Sequence, residues 1–94
     1  MVTHIVLFKF KEAAIVPKGK ELLLSMAGKI PQLRHLEAGV DVVRSERSYD
    51  LALVTKFDSM DGLQEYQVHP YHAGEVVPFM KANCSSVVAV DYES

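Results

Sequence analysis

The first strongly patterned segment of the chain covers residues 3–10, where β-branched, aromatic and aliphatic side chains alternate between two faces. This alternation at a period of two predicts a β-strand. One face carries His4, Val6, Phe8 and Phe10, and the other carries Thr3, Ile5, Leu7 and Lys9. Both faces include large apolar side chains, so the pattern predicts a strand that is covered on both sides.

A helical pattern follows this strand. Pro17 marks a turn and the start of the helix. From Lys18 to Ile30, apolar residues recur at spacings of three and four, which is typical of one face of an amphipathic helix. The apolar stripe consists of Leu22, Leu23, Met26 and Ile30. Pro31 ends the helix, because the residue before a proline is displaced from helical geometry.

Two further strands are predicted on either side of a short polar loop. The first runs from about Leu36 to Arg44, with Gly39 as a candidate bulge, and the second runs from Asp50 to Phe57. The loop between them, residues 45–49, is short enough to make the two strands antiparallel.

The remaining third of the chain contains more helix and a last strand. Asp58 or Ser59 is a suitable N-cap for a helix that begins near Met60, and Pro70 breaks or kinks this helix. Another helical piece is predicted over residues 71–83, although Pro78 argues against a regular helix there. Residues 85–92 predict the final strand.

The order β-α-β-β-α-β predicts an α+β fold of the ferredoxin-like type, with a four-stranded antiparallel sheet and two helices on one face. Ninety-four residues correspond to one domain, so we expect a single domain over residues 1–94. Two helices cover only one face of such a sheet, whereas three of the predicted strands are apolar on both faces. We therefore predict a homodimer, a dimeric α/β barrel in which the uncovered sheet faces of two copies pack together.

Composition supports an interface and narrows the range of partners. Hydrophobic residues make up 49% of the chain, while the net charge is −2 and the cationic side chains are scattered. No basic face for nucleic acid is visible, and no apolar run approaches the roughly 20 residues of a membrane span. The start of the chain lacks a signal-peptide pattern, and the lone Cys84 is typical of a small buried hydrophobe. We expect a soluble, cytoplasmic protein.

Histidines supply the candidate chemistry. His4 lies on the first strand, and His69 and His72 flank a Pro-Tyr pair that follows Tyr66. Imidazole titrates near neutral pH and acts as a base, an acid or a ligand, while a phenol donates a hydrogen bond to a developing oxyanion. Two alternatives stay open: these side chains are hydrogen-bonded core residues, or His4, His69 and His72 bind a metal ion.

Three segments resemble the stress-responsive α/β-barrel domain family, and the resemblance spans essentially the whole chain. They are the opening Thr-His-Ile-Val-Leu-Phe-Lys-Phe-Lys of residues 3–11, the segment Tyr-Gln-Val-His-Pro-Tyr-His of residues 66–72, and the closing Val90-Asp-Tyr92. The resemblance implies a ferredoxin-like subunit and a face-to-face dimer. A plant member of this family closes a linear polyketide thioester by an aldol condensation without a cofactor, and its catalytic His and Tyr match His72 and Tyr66. Its pocket histidine matches His4.

These observations predict a small-molecule pocket between the sheet and the helices, and a cofactor-free cyclase, lyase or isomerase that acts on a carbonyl substrate. His72 is the predicted general base, Tyr66 stabilises the enolate or alkoxide, and His4 positions the substrate. Phe8, His69 and Tyr71 are expected to contact the substrate. Tyr71 stands where the plant member has a small residue, which implies a narrower or redirected cavity entrance. No cofactor and no metal are expected.

Two other functions are considered. In the first, the chain is a non-catalytic small-molecule-binding or stress-protective dimer, and its histidines hold the second helical region against the first strand. In the second, it is a small antibiotic-biosynthesis-type monooxygenase. The haem-degrading monooxygenases of similar fold use a tryptophan, which this sequence lacks.

Overall fold

Four antiparallel strands form one sheet in the computed structural model, which describes residues 1–94. The strands are β1 (Val2–Phe10), β2 (His35–Val40), β3 (Leu51–Phe57) and β4 (Cys84–Glu93), in the spatial order β2-β3-β1-β4. The helices are α1 (Val16–Leu24), α2 (Met60–Val68) and α3 (Val77–Asn83). This order of elements confirms the predicted ferredoxin-like fold. None of the helices has the length and apolar character that crossing a membrane requires.

Helix α1 is shorter than its hydrophobic pattern predicted. It ends at Leu24 rather than at Ile30, and the chain then forms turns in which Gly28 adopts a positive φ of 78°. That conformation favours glycine, and it lies within the turns that follow the C-cap Ser25. Met26 and Ile30 nevertheless keep their predicted burial, at 0% and 2% exposure. The apolar stripe therefore predicted the core correctly and the helix length wrongly.

Strand β2 also ends early, at Val40 rather than at Arg44. Arg44 has a positive φ of 58°, which places it in the loop. The bulge predicted at Gly39 is wrong, because Gly39 pairs with Ala52 in unbroken register. An irregularity lies instead between Lys9 and Phe10, where the register of β1 against β4 shifts.

The second helical region is divided near Pro70, as predicted, and α2 and α3 are its two parts. Ser59 caps α2 by accepting a hydrogen bond from the Gly62 N–H. The chain leaves helical geometry at His69, one residue before Pro70, and then forms one π-helical turn from His72 to Val76. Pro78 lies in the first turn of α3, directly after the π-helical turn.

The two faces of the sheet are covered differently within one protomer. The helix-facing side chains of β1 and β3, such as Val6, Phe8 and Leu53, are buried in one core with Leu23 and other helical residues. The opposite face is apolar and lies open, as its exposed fractions show: Leu7 37%, Val88 44%, Val90 62% and Tyr92 46%. Both predicted apolar faces are therefore present, and the helices cover only one of them.

Asp50 fixes the loop between β2 and β3 to the central strand. One carboxylate oxygen accepts the Phe10 backbone N–H at 2.7 Å, and the other accepts the Arg44 guanidinium at 2.8 Å. The hydrogen bond from the Phe10 N–H lowers the pKa of the Asp50 carboxyl most, and the hydrogen bond from Arg44 lowers it further. Burial raises this pKa, but the result stays below the ordinary value. The charged form of Asp50 is therefore part of the folded structure.

We expect the Asp50→Ala variant to lose about 1–3 kcal/mol of unfolding free energy, because the buried Phe10 N–H loses its acceptor. Since folding depresses this pKa, the contribution is fully present above the unfolded pKa and is lost as the pH falls through the folded one. Urea unfolding at fixed protein concentration, between neutral and acid pH, measures both effects. Asp58, 63% exposed and paired with Arg34, is the matched control, and Asp58→Ala should change stability by less than about 0.5 kcal/mol. Equal losses in the two variants would contradict the role of Asp50.

Candidate functional site

A cavity of about 340 Å³ lies between the helix-facing side of the sheet and the helices. Its wall is mostly apolar, with ten hydrophobic residues among fourteen. The polar or ionisable residues that line it, apart from Tyr66, are His4, Gln67, His72 and Lys81. A mostly apolar cavity with a few convergent polar groups is typical of a small-molecule site.

Tyr66 on α2 places a phenol in this cavity. The residue is fully buried, its ring lies 5.0 Å from the Phe57 ring between centroids, and its hydroxyl has no hydrogen-bond partner in the protein. Burial raises the pKa of the phenol well above its ordinary value, so the hydroxyl keeps its proton. A buried polar group without a partner is rare in folded proteins and costs about 1–3 kcal/mol. The Tyr66 hydroxyl is thus a hydrogen-bond donor without an acceptor.

His72 begins the π-helical turn and lies beside Tyr66, with the two ring centroids 4.2 Å apart. Its Nδ1–H donates to the Gln67 carbonyl at 3.2 Å, which leaves Nε2 with a free lone pair. Burial lowers the pKa of His72 and outweighs the hydrogen bond to Gln67, which favours the charged ring. At neutral pH the ring is therefore an uncharged base. π-Helical turns within helical regions are frequent at functional sites.

His4 on β1 completes the group at the same end of the cavity, with its ring centroid 6.0 Å from that of Tyr66. Its Nδ1–H donates to the carboxylate of Asp91, which faces it across the β1–β4 pair. This bond orients the ring and leaves Nε2 free. The sequence analysis did not identify Asp91 as the partner, because the pairing of β1 with β4 had no assigned register. The segment Val90-Asp-Tyr92, which carries part of the family resemblance, was the feature of the sequence that could have indicated Asp91.

The structure brings Phe8 to the cavity with His4, Tyr66 and His72, but not the other two predicted contacts. His69 and Tyr71 do not line the cavity, and that expectation is corrected here. Their side chains are held elsewhere: the His69 ring accepts the Tyr71 N–H at 3.1 Å, and the Tyr71 hydroxyl bonds to Ser25, just after α1. The expected narrowing of the cavity by Tyr71 is therefore wrong. The interruption of the helix at His69, just before Pro70, leaves both side chains outside the cavity wall, with Tyr71 packed against another part of the core.

The same turn separates the three histidines that were considered as metal ligands. His69 lies outside the cavity that His4 and His72 line, and no group of three His, Cys, Asp or Glu side chains is arranged to hold a metal ion. The cavity brings together the uncharged imidazole of His72, the protonated phenol of Tyr66 and the imidazole of His4, which a carboxylate holds in place. This set can remove a proton next to a carbonyl group and stabilise the oxyanion that forms.

Comparison with known proteins identifies relatives across the whole chain. The model of the Stress responsive A/B Barrel Domain family matches residues 2–94. Olivetolic acid cyclase from Cannabis sativa is 27% identical over 78 residues, which cover 78% of this chain and 77% of the cyclase. The predicted resemblance to this family is therefore confirmed.

Two solved structures are similar over nearly their full length. A protein from Bacteroides fragilis, described as dimeric, of unknown function and of ferredoxin-like fold, is 30% identical with a TM-score of 0.86, and the match covers 99% of this chain and 95% of that one. A dimeric ferredoxin-like protein from Thermobifida fusca, also of unknown function, is 27% identical with a TM-score of 0.86, covering 99% and 90%.

Proposed function

The chain belongs to the stress-responsive A/B barrel domain family, and from that premise we propose that it is a cofactor-free enzyme that removes a proton α to a carbonyl group. The observation that carries this proposal is the buried Tyr66 hydroxyl without a partner, 4.2 Å between ring centroids from an uncharged His72. A carbonyl oxygen bound there would give the hydroxyl the acceptor that the protein does not supply.

In the proposed step, the free Nε2 of His72 takes the proton from the α carbon, so the C–H bond breaks and an N–H bond forms. The electron pair moves into the carbonyl, which becomes an enolate. Tyr66 donates its hydrogen bond to the enolate oxygen, in surroundings where burial strengthens that interaction. His4, held by Asp91, lies beside the same cavity and positions the substrate.

The enolate then has two outcomes, and one of them has additional support. It either takes a proton back at another carbon, which is an isomerisation, or attacks a second carbonyl of the same molecule and closes a ring. The relative from Cannabis sativa is named a cyclase. We therefore propose ring closure by attack of the enolate, with the proton on His72 passing to the alkoxide that results.

We further propose that the chain works as a homodimer through the open sheet face. Leu7, Val88, Val90 and Tyr92 are apolar or aromatic side chains that one protomer leaves more than a third exposed. Packing this face against its copy would remove the apolar surface from water. The similar Bacteroides fragilis and Thermobifida fusca proteins are each described as dimeric, which supports this arrangement.

A non-catalytic binding protein is the second candidate, and a specific observation favours it. His4 and His72 are each hydrogen-bonded to a protein group, to Asp91 and to the Gln67 carbonyl. Such bonds would hold the helical layer against β1 without any reaction. The cavity and the free Nε2 of His72 favour the enzyme, and the two candidates differ in whether a bound ketone exchanges its α protons.

We expect the protein to accelerate the exchange of α protons for deuterium in butyrophenone, measured by proton NMR in D₂O. Because the neutral ring is the active form and burial lowers the pKa of His72, the rate should fall on acidification with a midpoint below the ordinary value of 6.5. Binding of butyrophenone without acceleration would favour the second candidate. A midpoint at or above pH 6.5 would contradict a buried His72 as the base.

A further inference from the structure

The cavity extends along β1, and its two ends differ in chemistry. His4 lies at one end with Tyr66 and His72, whereas Phe8 lies toward the other end and faces Val87 across the β1–β4 pair. Helix α3 runs toward this second end, because it leads into Cys84, which pairs with Phe10. A side chain near the end of α3 is therefore distant from the proposed reacting groups.

Lys81 occupies that position on the last turn of α3 and lines the cavity. It is the only lysine or arginine in the cavity wall. Arg34 and Arg44 are paired with carboxylates, and Lys11 donates to the Ala82 carbonyl at 3.2 Å. The Lys81 ammonium takes part in none of the ion pairs of the protein, so it is available to an anion.

We propose that the substrate is an elongated keto acid whose carboxylate binds Lys81, while its reacting ketone and the second carbonyl that ring closure needs both lie at the Tyr66 end. This inference rests on the proposed function, since it assigns the carbonyl end to the same group of residues. The rest of the cavity wall is mostly apolar and holds no other lysine or arginine, so a negative charge has its favourable place at Lys81. One ammonium matches the single charge of a carboxylate, whereas phosphate sites commonly offer several donors.

The fold also sets the length of this substrate. Phe8 and His4 are four residues apart on β1, which is about 13 Å at a rise of roughly 3.3 Å per residue. His72 and Lys81 are nine residues apart in the helical layer, which is at most about 13 Å at the α-helical rise of roughly 1.5 Å per residue. The flexible lysine side chain shortens the distance to be bridged. Several methylene groups are therefore needed between the ketone and the carboxylate.

Isothermal titration calorimetry at low ionic strength tests this with four probes: ω-benzoylhexanoate, the short homologue β-benzoylpropionate, and the methyl ester of each. We expect the long acid to bind about tenfold more tightly than its ester, which is the size of one hydrogen bond to a charged group. The short acid should show no such preference over its own ester. Added salt should reduce the preference of the long acid, since the ammonium is near solvent.

Variants assign the effect to Lys81. Lys81→Gln should abolish the preference for the acid and leave the affinity of the ester unchanged, whereas Lys81→Arg should retain it. Lys18→Gln removes an exposed lysine of α1 that lies outside the cavity, and should behave as the wild type. An unchanged preference in Lys81→Gln overturns the inference. So does tighter binding of a phosphate monoester of the same length, which would assign a phosphate instead.

Failure of this inference is distinguishable from failure of the proposed function. If acid and ester bind equally and both lose affinity in Tyr66→Phe, the keto-acid inference is wrong and the carbonyl site stands. If the binding of neither probe responds to Tyr66→Phe, the proposed carbonyl site is wrong and the keto-acid inference fails with it.

Discussion

The His72→Ala variant is expected to lose about 10²–10⁴-fold of the rate of α-proton exchange, which is the usual contribution of a positioned general base. No other imidazole lies as close to Tyr66, because the His4 ring centroid is 6.0 Å from that of Tyr66 whereas the His72 ring centroid is 4.2 Å from it. The loss is measured by proton NMR, at one pH and one temperature, as the rate at which the α protons of butyrophenone exchange for deuterium. His69→Ala is the matched control, since His69 lies just outside the cavity and should leave the rate unchanged.

Tyr66→Phe separates the catalytic role of the phenol from its role in packing. The substitution keeps the ring against Phe57 and removes only the hydroxyl, so we expect the exchange rate to fall by about 10²–10³-fold, as when an oxyanion donor is removed. The stability of the variant should be unchanged or higher, because a buried donor without a partner is removed. If Tyr66 had only a structural role, the variant would not combine slower exchange with higher stability. Unchanged exchange in both His72→Ala and Tyr66→Phe would contradict the proposed enzyme.

The parts of the fold that the sequence predicted correctly are those that depend on local patterns. The alternation in residues 3–10 placed His4 on the same face as Val6 and Phe8, and all three line the cavity. The stripe of α1 predicted the burial of Met26 although the helix ends before it. Side-chain burial follows the spacing of apolar residues, whereas the residue at which a helix ends depends on local turns such as those that follow Ser25.

The parts of the site that were not predicted depend on contacts distant in sequence. Asp91 lies 87 residues from His4, and only the register between β1 and β4 brings them together. Lys81 is recognisable only once α3 is seen to run along the cavity. His69 and Tyr71 were expected to contact the substrate together with His72, but helical geometry is interrupted at His69, just before Pro70. Sequence proximity is a weak guide to orientation at such a break.

One alternation along β1 connects the proposed site with the proposed dimer. His4, Val6 and Phe8 point toward the helices, so Ile5 and Leu7 necessarily point away from them. Strand β1 thus carries a candidate catalytic residue on one face, and its other face lies in the inner part of the open sheet face. Packing of a second copy on that face would hold β1, and with it His4, in a fixed position.

The Leu7→Asp variant is expected to weaken the dimer by at least about 10³-fold, because a charge would be buried against the apolar face of the partner. Two-fold symmetry places the substitution in the interface twice, which doubles its cost. The protomer itself should still fold, since Leu7 is already 37% exposed and lies outside the helix-covered core.

Analytical ultracentrifugation over a range of protein concentrations measures this change, and circular dichroism establishes that the variant is folded. Val68→Asp is the matched control, because Val68 is 75% exposed on α2, on the helical side of the protomer. We expect Val68→Asp to remain dimeric at concentrations where Leu7→Asp is monomeric or aggregated. If Leu7→Asp stays a stable dimer, the two copies do not associate through the sheet face. The apolar side chains of β1 and β4 on that face would then need a different cover.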